Sequence, residues 1–97
     1  MIGKKEFVEK IMSLEYGQYI DVFLDNQSEE PDVIFTKRRL FASSVIVGKC
    51  VGDGSFFIAH DSLYEIPEDT LEGYYDSVSE TWDNVRLEEP YTMQDWD

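Results

Sequence analysis

His60 and Asp61 stand side by side, and the chain carries one thiol, Cys50. An imidazole next to a carboxylate is the arrangement that fixes one ring tautomer and lets the other nitrogen take a proton. A serine would complete a hydrolytic triad, but none sits in the Gly-x-Ser-x-Gly turn that exposes such a nucleophile. One Cys and one His do not make a zinc set unless carboxylates supply the rest. The run Asp25-Asn26-Gln27-Ser28-Glu29-Glu30-Pro31-Asp32 has the composition of a calcium loop, yet lacks the glycine and the closing glutamate of an EF-hand. It reads as an acidic turn. Gly52-Asp53-Gly54 is too short to cradle a phosphate and carries no lysine, so a hairpin turn is the plain reading. The expectation is no catalytic residue, no metal, no cofactor and no enzyme.

Carboxylates are where the sequence is distinctive. Residues 1–50 hold seven Lys/Arg against eight Asp/Glu, a net of −1, whereas residues 51–97 hold Arg86 against thirteen acids, a net of −12. Within the acidic half, Glu68, Glu72, Asp76 and Glu80 recur every four residues, with Asp69 and Asp83 beside them. On a helix that spacing makes a slanted row rising ~6 Å per carboxylate. Phosphates of one DNA strand rise ~3.4 Å along the axis and further through space, so such a row approximates a phosphate backbone to a Lys/Arg-lined surface. Tyr64, Tyr74, Tyr75, Trp82, Tyr91 and Trp96 share this half, and Tyr and Trp anchor interfaces. Two readings stand: the solvated face of an amphipathic helix, or a row meant for a basic partner. Ordinary solvated helices mix both signs, and here lysine is missing after residue 50. The residues expected to bind a partner are Glu68, Asp69, Glu72, Asp76, Glu80, Asp83, Glu88, Glu89, Tyr91 and Trp96. Leu71, Val78 and Trp82 are expected in the core.

The elements that hold these residues follow from periodicity. Phe7, Val8, Ile11, Met12 and Leu14 at helical spacing predict a helix over 4–15, stopped by Gly17. From 18 to 60 the period becomes two. Ile20, Val22 and Leu24 alternate with Tyr19, Asp21 and Phe23 in a first strand. A second runs from Val33 to Phe41, broken or bent at Lys37-Arg38-Arg39; a third covers Val45 to Val51, and a fourth Ser55 to His60 after the Gly-Asp-Gly turn. Pro67, followed by Glu68 and Asp69, opens a long acidic helix over about 68–86, with Leu71, Tyr74, Tyr75, Val78, Trp82 and Val85 on one face. Residues 87–97 have no regular period and are ordered only through docking of Tyr91, Met93 or Trp96. The predicted fold class is α+β: an N-terminal helix, a three- to four-stranded antiparallel sheet, the acidic C-terminal helix and an irregular acidic tail, in one domain over 1–97.

Ninety-seven residues with 42% hydrophobic content suffice for a modest core without disulfides. A lone cysteine fits a reducing cytoplasm, and there is no signal-peptide core and no membrane-length apolar run. A chain of net charge −13 will not bind nucleic acid or anionic lipid through bulk charge, so no direct DNA binding is expected. A local basic patch would be the exception, and Lys37-Arg38-Arg39 is the candidate. That triplet reads first as a surface turn or strand end offsetting the acidic helix. Cys50 reads as a strand residue.

The acidic helix and the charge split resemble the build of small anti-defence proteins of phages and mobile elements, the anti-CRISPR proteins and DNA-mimic inhibitors. The resemblance covers the second half of the chain, at the level of a class. It implies an inhibitory binding module that lays its acidic helix on the basic nucleic-acid-binding surface of a host defence nuclease, a Cas nuclease first among them. An immunity protein or antitoxin against a basic nuclease toxin uses the same electrostatics, and a small adaptor domain with no special electrostatic role also fits.

Overall fold

The computed structural model describes residues 1–25, 27, 29–41, 43–60 and 67–92, the last five before the gap and Leu40 by their backbone. The element order is α1 (Lys4–Met12), β1 (Gln18–Phe23), β2 (Val33–Leu40), β3 (Ser43–Cys50), β4 (Phe56–His60), α2 (Pro67–Thr81), β5 (Arg86–Leu87) and β6 (Tyr91–Thr92). The strands form one antiparallel sheet in the order β4-β3-β2-β1-β5, and β6 also pairs with β1. The fold is α+β, as the periodicity predicts.

Strand alternation sorts the sheet into two faces. Ile20, Val22, Val33, Phe35 and Ile46 join Phe7, Val8, Ile11 and Leu14 at the N-terminus and Leu71, Tyr75 and Val85 from the second half in one buried cluster. Both helices therefore contribute to the same side of the sheet. At its centre, the Phe7 ring meets Phe35 edge-on at 6.3 Å and Tyr75 at 5.3 Å, geometries that favour aromatic pairs beyond their buried area. The Tyr75 hydroxyl donates to the Ile2 carbonyl at 2.5 Å, which satisfies its polar end and ties α2 to the N-terminus.

Four expectations are corrected. α1 ends at Met12 rather than 15; Leu14 reaches the core from beyond the helix, and Gly17, at φ +84°, turns the chain into β1 with its N–H donating to Lys37. β2 runs unbroken through the basic triplet, because all eight of its residues pair with β3, from Val33 with Cys50 to Leu40 with Ser43. α2 ends at Thr81 rather than 86. Its last helical bond is Trp82 N–H to Val78, and the chain then leaves the helix so that Val85 is fully buried and its carbonyl accepts the Ile2 N–H. Trp82 consequently stands 40% exposed instead of in the core.

The tail forms a split edge strand. Val22 faces Leu87, Glu88 N–H donates to the Asp21 carbonyl, and Tyr19 faces Tyr91. The register shifts by one residue between the two pairings, so Glu89 and Pro90 occupy a place that one residue would fill. This is a β-bulge. Its effect is parity: Leu87 faces the core, and in a regular strand Tyr91, four residues on, would too. With the bulge, Tyr91 lands on the other face, stacked on Tyr19 at 5.9 Å.

Candidate protein-binding surface

Local sequence explains why α2 starts where it does. Pro67 occupies the first helical position, where no N–H is required, and Glu68 and Asp69 sit in the turn that carries the positive end of the helix dipole. Leu71 and Tyr75 then anchor the helix by burial, and burying a leucine contributes about 1.5–3 kcal/mol. The remaining face is left to Glu68, Asp69, Glu72, Asp76 and Glu80, all exposed, and Asp83 follows the helix, also exposed.

The row is not uniformly free. Lys4 of α1 meets Asp76 at 3.1 Å, the one ion pair among the described residues. The hydrogen bond and charge of Asp76 hold the Lys4 ammonium above its ordinary range, with Glu72 adding to the effect. Lys4 and Lys5 line a groove of about 580 Å³ with Val8, Glu9, Glu68 and Glu72. On this flank, lysines of α1 stand among the carboxylates. Asp69, Glu80 and Asp83 have no cation within ion-pair distance among the described residues. Trp82, next to Asp83, is exposed although periodicity alone assigns it to the interior.

The structure does not bring the ten expected residues together. Glu88 and Glu89 are exposed in the connection between β5 and β6 at the sheet edge. Tyr91 lies on the sheet face turned away from the helices, where its hydroxyl donates to Asp21 Oδ1 at 2.7 Å. Burial first, and then the bond to Asp21 and its charge, push the Tyr91 phenol well above its usual range. Trp96 lies outside the described residues, as do Tyr64, Asp61 and hence the His60–Asp61 pair. Two carboxylates of the calcium-like run serve as turn acceptors: Asp25 Oδ1 takes the Gln27 N–H at 3.0 Å and Asp32 Oδ2 the Leu24 N–H at 2.8 Å. Cys50 closes β3, half-buried against the core.

A second cluster was not expected. The triplet Lys37-Arg38-Arg39 alternates across the sheet. Lys37 and Arg39 stand over the Tyr16 ring, 5.3 and 4.7 Å from its centroid. The Tyr16 hydroxyl lies 2.5 Å from that of Ser44, and this bond, with the two cations, holds the phenol below its ordinary range. Arg38, on the opposite face, donates to the Tyr19 hydroxyl at 3.0 Å. No carboxylate among the described residues pairs with any of the three. Periodicity predicts a break or bend at the triplet; the unbroken β2–β3 pairing makes it alternate, and only that register brings Tyr16 and Ser44 to it. Among the described residues no helix is long and apolar enough to cross a membrane. No protein-family model matches the chain, and no curated protein or solved structure matches it.

Proposed function

We propose that the chain is a cytoplasmic, non-enzymatic inhibitor that lays the exposed carboxylates of α2 on the basic nucleic-acid-binding surface of a defence nuclease, an RNA-guided Cas nuclease being the first choice. The observation that carries this reading is the exposed acidic face of α2 and its exit, where Asp69 and Glu80, with Asp83 just past the helix, are unpaired among the described residues and Trp82, next to Asp83 in the chain, is 40% exposed. A Lys/Arg-lined channel built for phosphates would meet that row with favourable charge, and the field would speed encounter as well as fix orientation. Trp82 supplies the kind of residue that dominates binding energy at interfaces.

The test is inhibition of target cleavage by purified Cas nucleases at 50 and 300 mM salt. The informative variant changes Glu72→Gln, Glu80→Lys and Asp83→Lys together. It leaves Asp76 alone, because Asp76 holds Lys4. The expected result is salt-sensitive inhibition by the wild type and its loss in a variant that still folds. Inhibition by the variant at the wild-type concentration, or no inhibition of any nuclease, would overturn the proposal.

A further inference from the structure

The hairpin tip between β2 and β3 is the most unusual local structure among the described residues. Leu40 pairs with Ser43, so the two strands are joined by a two-residue step that begins at Phe41. Such connections match strand twist by adopting positive φ, which Gly, Asn and Asp provide cheaply. Here Phe41 adopts φ +56°, a left-handed conformation that a bulky side chain resists. Its ring gains nothing from burial in return, because the residue is 93% exposed. A residue that is both strained and solvent-facing points to a role outside folding.

The surroundings give that role a chemistry. Arg38 and Arg39 precede the tip and, as neighbours in a strand, project from opposite faces. They straddle the hairpin end, with Phe41 at its apex. The Arg39 guanidinium carbon stands 4.7 Å from the centroid of the Tyr16 ring, and a guanidinium carries five N–H donors, more than one neighbouring phenol can take up. In a chain with twenty-one acids, these arginines are held by a ring and a phenol, and no described carboxylate neutralises them. Lys37 is less available. It shares a recess of about 220 Å³ with Glu68, Pro67, Ser44, Met12 and Ile46.

From this juxtaposition we infer that the β2–β3 tip binds single-stranded nucleic acid, with Arg38 and Arg39 on phosphates to either side of the tip and the Phe41 ring stacked on a base. Cations beside an open aromatic ring are the elements of a single-strand platform, where stacking tolerates any base. A duplex hides its base faces and would leave Phe41 without a partner. The overall charge of −13 opposes the approach of a polyanion. Screening confines that repulsion to about 8 Å at physiological ionic strength, so contact charges decide. The inference does not depend on the nuclease reading, and its test uses the protein alone.

Amide NMR of ¹⁵N-labelled protein is titrated with hexauridylate, hexathymidylate, a self-complementary DNA duplex and hexaglutamate. The expected result is saturable shifts at residues 38–44 with one or both single strands, and smaller ones with the duplex. With about two phosphates engaged, the dissociation constant should rise about sevenfold from 50 to 200 mM salt. Phe41→Gly suits the backbone conformation, so it should melt no lower than the wild type, yet bind about tenfold more weakly through loss of stacking. Arg38→Glu with Arg39→Glu should abolish the shifts. If that pair disturbs folding, Phe41→Gly alone decides. Absence of shifts at 38–44 at millimolar strand overturns the inference. So does equal response to hexaglutamate with no effect of Phe41→Gly, which would mark the tip as a site for acidic peptide instead.

Discussion

The hydrogen bond from the Tyr91 hydroxyl to Asp21 fastens the last strand pairing to the sheet, and it sets a pH limit. Burial and the neighbouring carboxylate raise the Tyr91 phenol above the ordinary value of about 10. A phenol whose folded pKa is raised holds its proton more tightly folded than unfolded. The stability this represents is present below about pH 10 and is lost as pH rises beyond it. Burial raises Tyr74 in the same sense. Tyr91→Phe should cost about 1 kcal/mol at pH 7 through the lost bond. The difference in melting temperature between wild type and variant should then shrink between pH 9.5 and 11, since the variant has no proton to lose there. A constant difference across that range would show that the Tyr91 phenol is not held above its ordinary range in the folded protein. Two hydrogen bonds, Arg38 to Tyr19 and Tyr91 to Asp21, are thus joined through the Tyr19–Tyr91 ring stack on the open face. The sequence names each member but does not say that they meet, because their contact depends on the register of β1 against both β2 and β6.

At the scale of elements, period was a good guide to type and a poor guide to ends. The 3.6-residue pattern of Leu71, Tyr74, Tyr75 and Val78 belongs to α2, but Trp82 and Val85 continue it by coincidence. Val85 is buried because an extended segment carries it to the core, and the pattern cannot distinguish that from a further helical turn. The split β5–β6 edge was illegible for a related reason. Two-residue strands have no measurable alternation, and the bulge at Glu89-Pro90 reverses parity between them. The misplaced helix end has a practical consequence. With Trp82 in the core, Trp82→Ala would open a cavity costing about 3–5 kcal/mol. With 40% of its surface exposed, the same change should cost less, about 1–2 kcal/mol. It then becomes a usable probe of binding. Urea unfolding should give a modestly lowered midpoint, while inhibition of a target nuclease should weaken tenfold or more if Trp82 anchors the interface. A large fall in the midpoint would mean that Trp82 packs more deeply than its exposure indicates.

For the molecule as a whole, the charge asymmetry was fully legible, since it is a matter of counting, but its compensation was not. The structure places Lys4 and Lys5 beside Glu68, Glu72 and Asp76, and keeps Lys37 and Arg39 over the Tyr16 ring and Arg38 on the Tyr19 hydroxyl, with no described carboxylate in ion-pair contact. One end of the acidic row is therefore moderated and the other is not. Salt should act with opposite signs on folding and on binding. In folding, the surplus negative charge repels itself, and raising sodium chloride from 20 to 500 mM shortens the Debye length from over 10 Å to under 8 Å. Relief of about 1 kcal/mol would raise the melting temperature by roughly 4–8 °C in a domain of this size. Chloride is the suitable salt, because sulfate would also strengthen apolar burial and obscure the cause. Screening of the Lys4–Asp76 pair works in the other direction, but it is one attraction against many repulsions. The variant with Glu72→Gln, Glu80→Lys and Asp83→Lys removes three negative charges and adds two positive ones. It should melt higher than the wild type at 20 mM salt, with the difference narrowing at 500 mM. A melting temperature that is flat or falls with salt, in wild type and variant alike, would mean that the row is already compensated within the fold. In that case a basic partner would gain no relief of repulsion from covering it.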